Sequence, residues 1–166
     1  LGASVKITIV GGGIMGLSVA WALNKDGHNV SLFEQGPLPN PLGSSVDEHR
    51  LIRHPYGAER GYTRMINPAY AAWEQLWADL GARHYAATGT LVLDRGDRWT
   101  AATANALEAE RIPYRRIAVK EFSAMFGMLA ANGIRGALLL ESGGTLFAAD
   151  IVAGLERYLR AKGVRI

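Results

Sequence analysis

Val5-Lys6-Ile7-Thr8-Ile9-Val10-Gly11-Gly12-Gly13-Ile14-Met15-Gly16 decides the fold. A β-branched run ends abruptly in glycine, and a helical pattern begins directly after it. Val5 to Val10 reads as a strand buried in a parallel sheet. Ile14 to Lys25 sets Leu17, Ala20, Trp21 and Leu23 at helical spacing, and Gly27 supplies a stop. Asn29 to Phe33 reads as a second strand, ending at Glu34. Strand, turn, helix and strand within about thirty residues make a βαβ unit.

The glycines of this stretch match the G-x-G-x-x-G pattern. Gly11 permits the tight turn out of the strand. Gly13 lets the backbone approach a pyrophosphate, and Gly16 lets the helix pack closely on the sheet. The first helical turn, with Ile14 and Met15, offers unpaired N–H groups and a partial positive charge to phosphates. Glu34, followed by Gln35, lies 18 residues after Gly16 at the end of the second strand. A carboxylate there accepts hydrogen bonds from the ribose hydroxyls of an adenosine and repels a 2′-phosphate, which disfavours NADP. The competing reading is a glycine-rich turn beside a surface glutamate. The strand before the glycines and the helix after them oppose it. FAD and NAD share the ADP half that this unit would hold, so the next segment must discriminate.

That segment opens with a loop, Gln35 to Ser45, punctuated by Pro37, Pro39 and Pro41. Ser44 and Ser45 can donate to phosphate oxygens or to a flavin edge. Asp47 to Arg53 is expected as a short helix, on which Arg50 and Arg53 share a face. Two guanidinium groups so placed suit a carboxylate or phosphate, which they grip bidentately. The same arginines could instead pair with Asp47, Glu48 or Glu59 on a solvated surface, and chemistry alone leaves both readings open.

Further on, Asn67 to Leu80 reads as an amphipathic helix with Tyr70, Trp73, Leu76, Trp77 and Leu80 on one stripe, a pattern of core packing. Thr88 to Leu93, Tyr114 to Ile117 and Gly136 to Glu141 read as strands. Trp99 to Glu110, Val119 to Phe126 and Ala148 to Lys162 read as helices, the last with Ile151, Leu155, Tyr158 and Leu159 on one face. Val164 to Ile166 begins another strand. The sequence stops there, which leads us to expect a fragment of a longer chain.

Composition narrows the function. The 166 residues allow one domain or two small ones, and 49% hydrophobic with 20% charged residues is a globular balance. Net charge is +3 without any long run of like charge, so no nucleic-acid arm is expected. With no cysteine, disulfides and thiolate metal sites are excluded within these residues, which fits a reducing compartment. Val5 to Val10 is too short to span a bilayer, so no membrane partner is expected and the cytoplasm is the expected location. His28, His49, His54 and His84 show no metal-ligand spacing, and no metal is expected. His28, at a turn, is expected to be exposed.

Ile7 to Leu93 resembles the FAD-dependent oxidoreductases of the D-amino-acid oxidase superfamily, above all the branch of monomeric sarcosine oxidase and N-methyltryptophan oxidase. The resemblance rests on Gly11 to Gly16, Glu34, Gly43-Ser44-Ser45, Arg50-Leu51-Ile52-Arg53-His54 with Tyr56-Gly57, the Trp73 to Leu80 helix and Thr88-Gly89-Thr90-Leu91. It extends more weakly through Glu141-Ser142-Gly143-Gly144 and the last helix. It implies an α/β fold: a Rossmann-like FAD-binding βαβ unit plus part of an α+β substrate domain with a mostly antiparallel sheet. The first part of the FAD domain would be residues 1–85, the substrate-domain part 86–145, and the return to the FAD domain 146–166. By similarity, Arg50 lies near the flavin ring and Arg53 holds the substrate carboxylate. Ser45 and Val46 stand where the branch often carries two histidines, which argues against sarcosine itself as substrate.

The activity so implied is oxidation, with FAD, of a C–N bond next to a carboxylate. Its partners would be a small amine or amino acid, molecular oxygen and the remainder of the same chain. Two other readings compete. A non-catalytic FAD-binding subunit or module of a larger complex would hold flavin without oxidase activity. An NAD-dependent dehydrogenase would continue in alternating strands and helices. The proline loop and the arginine segment argue against the latter.

Overall fold

A computed structural model describes residues 3–166. The opening unit has the expected form: β1 Lys6–Val10, α1 Ile14–Lys25 and β2 Asn29–Phe33. β1 and β2 are parallel, in register from Lys6 opposite Asn29 to Val10 opposite Phe33. The strand start at Val164 to Ile166 is present as a parallel bridge between Ser31 and Arg165. The Leu32 N–H donates to the Arg165 carbonyl at 2.8 Å, so this bridge lies beside β2. Leu17 and Ala20 of α1, with Val30 and Leu32 of β2, carry the burial.

β1 departs from the expected burial. Val10 is 86% exposed and Phe33, its partner, 62%. Among the described residues, β1 pairs with β2 alone. A run that reads as fully buried therefore presents one open edge and partly open faces.

The chain divides into two compact units. The first gathers the residues through Arg50, 75–85 and 146–166. The second holds 51–74 and 86–145. Residues 51–74, which sequence reading groups with the opening segment, thus cluster with 86–145. The first unit closes with α5, Ala148–Ala161, whose Ile151, Leu155 and Leu159 are buried and which packs on α1.

The second unit is built on an antiparallel sheet of β5 Thr90–Asp94, β7 Gly136–Leu140 and β6 Arg115–Ala118, in that spatial order. Both faces are covered, which explains the continuous apolar runs. Val92, Leu138 and Leu140 pack on one face with Ala104 and Leu107 of α3, Arg98–Ala109. Leu91, Leu93, Ala137 and Ile117 pack on the other with Phe122 of α4, Val119–Met125. Successive strand residues point to opposite faces, so each apolar residue finds a layer. Asp97 caps α3 by accepting the Thr100 N–H at 2.7 Å.

Two elements differ from the sequence reading. Asp47 to Arg53 does not form a helix; Arg50–Ile52 is a short strand, β3. Pro55 restrains His54 to extended backbone, and the polar stretch ahead offers no apolar stripe to bury as a helix. The amphipathic helix α2 spans Arg60–Leu80, beginning seven residues before Asn67 and running through Pro68. Its buried stripe begins at Thr63 and Ile66, at 0% and 8% exposure. That stripe continues the spacing of Tyr70, Trp73 and Trp77. Short strands β4 Tyr85–Ala86 and β8 Gly144–Leu146 complete the inventory. Among the described residues, no helix is long and apolar enough to cross a membrane.

Candidate functional site

Each glycine of the loop between β1 and α1 answers a different demand. Gly11 donates its N–H to the Phe33 carbonyl at 2.8 Å and adopts φ +102°, a conformation that disfavours any side chain. At Gly16 an added Cβ would stand 1.9 Å from the Gly11 carbonyl oxygen. At Gly12 it would stand 2.7 Å from Leu38 Cδ2. At Gly13 it would meet nothing closer than Ser45 Oγ at 3.6 Å, an ordinary contact. The protein's own packing therefore does not require glycine at position 13. The bare backbone there fits a group arriving from outside, and this is where a pyrophosphate would approach the start of α1.

Gly13 is the N-cap of α1 and offers no side chain to the helix. Ser45, 31 residues after Ile14, takes that part: its Oγ accepts the Ile14 N–H at 3.2 Å. Met15 projects outward, 76% exposed. Gln35 and Ser44 are exposed as well.

Glu34 ties the end of β2 to the loop. Its Oε2 accepts the Gly12 N–H at 2.7 Å, and its Oε1 accepts the Gly36 N–H at 3.2 Å and Asn40 Nδ2 at 2.9 Å. The Gly12 N–H, then the Asn40 amide and the Gly36 N–H, hold this carboxyl below the usual carboxylate range, against a smaller opposing effect of desolvation. The group is thus a fixed anion at neutral pH. A crevice of about 60 Å³ is lined by Gly12, Gly13, Glu34, Asn40, Gly43 and Ser45 among others.

The arginines do not share a helical face, because β3 replaces the expected helix. Arg50 Nη2 contacts Asp47 at 2.5 Å and the Ser44 carbonyl at 2.6 Å, on an exposed surface. Arg53, in the second unit, is half-buried; its Nη1 donates to the Pro55 carbonyl and its guanidinium lies 4.8 Å over the Tyr56 ring. His54 is 3% exposed and satisfied on both ring nitrogens, by Ser142 Oγ at 2.9 Å and Asn67 Oδ1 at 3.0 Å. It is a core histidine that fixes the backbone next to Arg53. His28 is half-buried rather than exposed, and its Nδ1 is buried without a hydrogen-bond partner among the described residues.

The structure thus brings Gly11, Gly13, Ile14, Gly16, Glu34 and Ser45 together and leaves Met15, Gln35 and Ser44 at its rim. Sequence reading missed Gly12, Asn40, Asn67 and Ser142. For Gly12 the signal lay in the triple glycine, and for Asn40 in its place between Pro39 and Pro41, where a turn is due. No local signal marks Asn67 or Ser142 as partners of His54. Among the described residues, no group of three or more His, Cys, Asp or Glu could hold a metal ion.

A family model described as FAD dependent oxidoreductase matches residues 6–166, nearly the whole chain. The chain belongs to the FAD-dependent oxidoreductase family. Within it, the human peroxisomal sarcosine oxidase is 31% identical over 156 residues, 93% of this chain and 40% of that protein. An N-methyl-L-tryptophan oxidase of Yersinia pestis (strain Pestoides F) is 30% identical over 87 residues, 52% of this chain and 24% of that protein. Among solved structures, NikD, an unusual amino acid oxidase, superposes with a TM-score of 0.80 at 22% identity, covering 98% of this chain and 43% of that one. Glycine oxidase from Bacillus cereus gives 0.71 at 20% identity, covering 99% and 46%. At such identities the structural likeness establishes the fold. The family's cofactor is FAD, and the loop described above has the shape and donors to hold its ADP half. The chain spans about 40% of the length of its human relative.

Proposed function

We propose that this chain is the cofactor-binding start of an oxidase that acts on an amine or amino acid, oxidising a C–N bond adjacent to a carboxylate. The observation that carries the proposal is the Glu34 carboxylate on the Gly12 N–H. It joins a ribose-reading anion to a glycine loop whose Gly13 has room for a phosphate, in a chain of the flavin oxidoreductase family. Gly11, Gly13, Ile14, Met15 and Gly16 would hold the pyrophosphate, with Ser44 and Ser45 beside it. Glu34, with Gln35 following it, would hold the adenosine ribose. When bound, the flavin supplies two-electron oxidation with oxygen as final acceptor and hydrogen peroxide as product.

This chain's own residues bind and orient. Arg53 would hold the substrate carboxylate, its guanidinium plane already set by Tyr56 and Pro55. A fixed fork loses less freedom on binding than a mobile one, and the orientation gained contributes to rate. Arg50 would supply positive charge near the flavin ring. The names of the relatives support N-methyl and primary amino acids as the first substrates to try. The remainder of the chain and molecular oxygen would complete the partners, with neither nucleic acid nor membrane among them. The lack of cysteine supports a reducing compartment such as the cytoplasm. An NAD-dependent dehydrogenase is not favoured, since an antiparallel sheet follows where parallel strands would be due.

The test is the visible spectrum of the intact protein, recorded without oxygen while N-methyl and primary amino acids are added. A flavin spectrum that one of them bleaches is expected. Arg53→Ala should then raise KM for that substrate, and an unchanged KM removes the carboxylate clamp. A flavin spectrum that no amine bleaches favours the non-catalytic FAD-binding module instead. A colourless protein that binds NAD overturns the cofactor assignment.

A further inference from the structure

We infer that Asn40 is a second ribose-reading residue of this site, supplying a hydrogen-bond donor that Glu34 lacks. The inference rests on the dinucleotide reading of the glycine loop. Asn40 lines the same crevice as Gly12, Gly13 and Glu34. The orientation of its amide is determined by chemistry: Oδ1 accepts the Leu42 N–H at 2.9 Å, and a backbone N–H can only donate. Nδ2 therefore faces Glu34, and one of its two N–H bonds goes to Oε1 at 2.9 Å. The other N–H has no protein partner among the described residues.

Glu34 has little capacity left. An ionised carboxylate offers about four acceptor positions and no donor. The Gly12 N–H occupies one on Oε2, and the Gly36 N–H and Asn40 occupy both on Oε1. The Gln35 N–H also bears on this carboxylate, so at most one position remains, on Oε2. An adenosine ribose presents two neighbouring hydroxyls, each able to donate once and accept. Glu34 can receive one of them. The oxygen of a hydroxyl needs a donor, and the unused N–H of Asn40 is a donor in the same crevice. The pair therefore suits an adenosine with both hydroxyls free. A 2′-phosphate brings only acceptors and meets the charge of Glu34.

The experiment is a fluorescence titration of the intact apoprotein with FAD and with its 2′-deoxyadenosine and 3′-deoxyadenosine analogues. The wild type is expected to prefer FAD over both. In Asn40→Ala the preference over one analogue should fall by roughly two- to tenfold, the worth of one neutral hydrogen bond. Asn40→Ser stays neutral, keeps a side-chain oxygen able to accept the Leu42 N–H, and lacks the amide's two N–H donors. It should show the same collapse, and it serves if Asn40→Ala does not fold. Equal weakening of FAD and both analogues in the two variants would mean that Asn40 only shapes the loop, overturning the inference. A wild type that binds FAD without discriminating the analogues overturns it while leaving the dinucleotide site standing. A wild type that binds no FAD overturns both.

Discussion

Gly13 and Gly16 separate what the fold needs from what a ligand needs. A methyl group at position 16 would lie 1.9 Å from a backbone oxygen that cannot rotate away, so α1 or the loop must shift. Gly16→Ala is expected to destabilise the unliganded protein by about 1–3 kcal/mol, the usual cost of overpacking. At position 13 the same methyl makes only an ordinary contact. Gly13→Ala should leave the unliganded melting temperature within a degree or two, roughly the scatter of neutral substitutions, while weakening FAD binding. Thermal melts without FAD, paired with FAD titrations, check both. An unliganded Gly13→Ala protein that melts as early as Gly16→Ala would show that position 13 serves packing. The motif's three glycines and the separate role of each were legible in the sequence. The atom that an added Cβ would meet at each was not, because that is a distance set by the folded chain.

Among the elements, α2 is the one in which tertiary burial overrides a local rule. Pro68 lacks an N–H, so the helix forfeits a bond to the Arg64 carbonyl in its interior. A proline in a helix interior costs about 3 kcal/mol relative to alanine. The stripe from Thr63 and Ile66 through Tyr70 and Trp73 to Leu76 and Trp77 offsets it. The steps from Thr63 to Trp73 are three or four residues, and Leu76 and Trp77 lie three and four after Trp73, on the buried face. Pro68→Ala restores the bond on an exposed position, and we expect a higher melting temperature from it, read by circular dichroism. A lower one would mean that the local bend made by the proline is itself needed. By contrast β1, α1, β2 and α5 matched their sequence signals to within a residue, because strand residues, glycine stops and helical spacing all act locally. β3 was misread for the opposite reason. Three residues become a strand only when a partner strand is present, and that partner is not among their sequence neighbours.

On the scale of the whole molecule, the chain divides into two units that are each discontinuous in sequence. Composition suggested one domain or two small ones, and the resemblance placed a break near residue 85. It did not show that 51–74 would cluster with 86–145. The match to the human relative covers 93% of this chain but 40% of that protein. Oxidase chemistry needs cofactor, substrate pocket and oxygen access assembled together. We therefore expect residues 1–166 alone to give no peroxide with any amine that bleaches the intact protein. A coupled peroxidase assay checks this, and turnover by the fragment would show that the proposed pocket is complete within it.

The sequence by itself determined the βαβ start, the glycine loop, the acidic end of β2 and the family. These follow from patterns confined to neighbouring residues: β-branched runs, helical periodicity, and glycines where a chain must turn. The tertiary structure alone decided that β1 pairs with β2 alone among the described residues, that Arg50 lies on a strand, that His54 is locked between Ser142 and Asn67, and that Asn40 meets Glu34. Each of these depends on a partner brought near by folding. A hydrogen bond or an edge pairing forms between positions in space, and local propensity carries no record of which distant residue will be there.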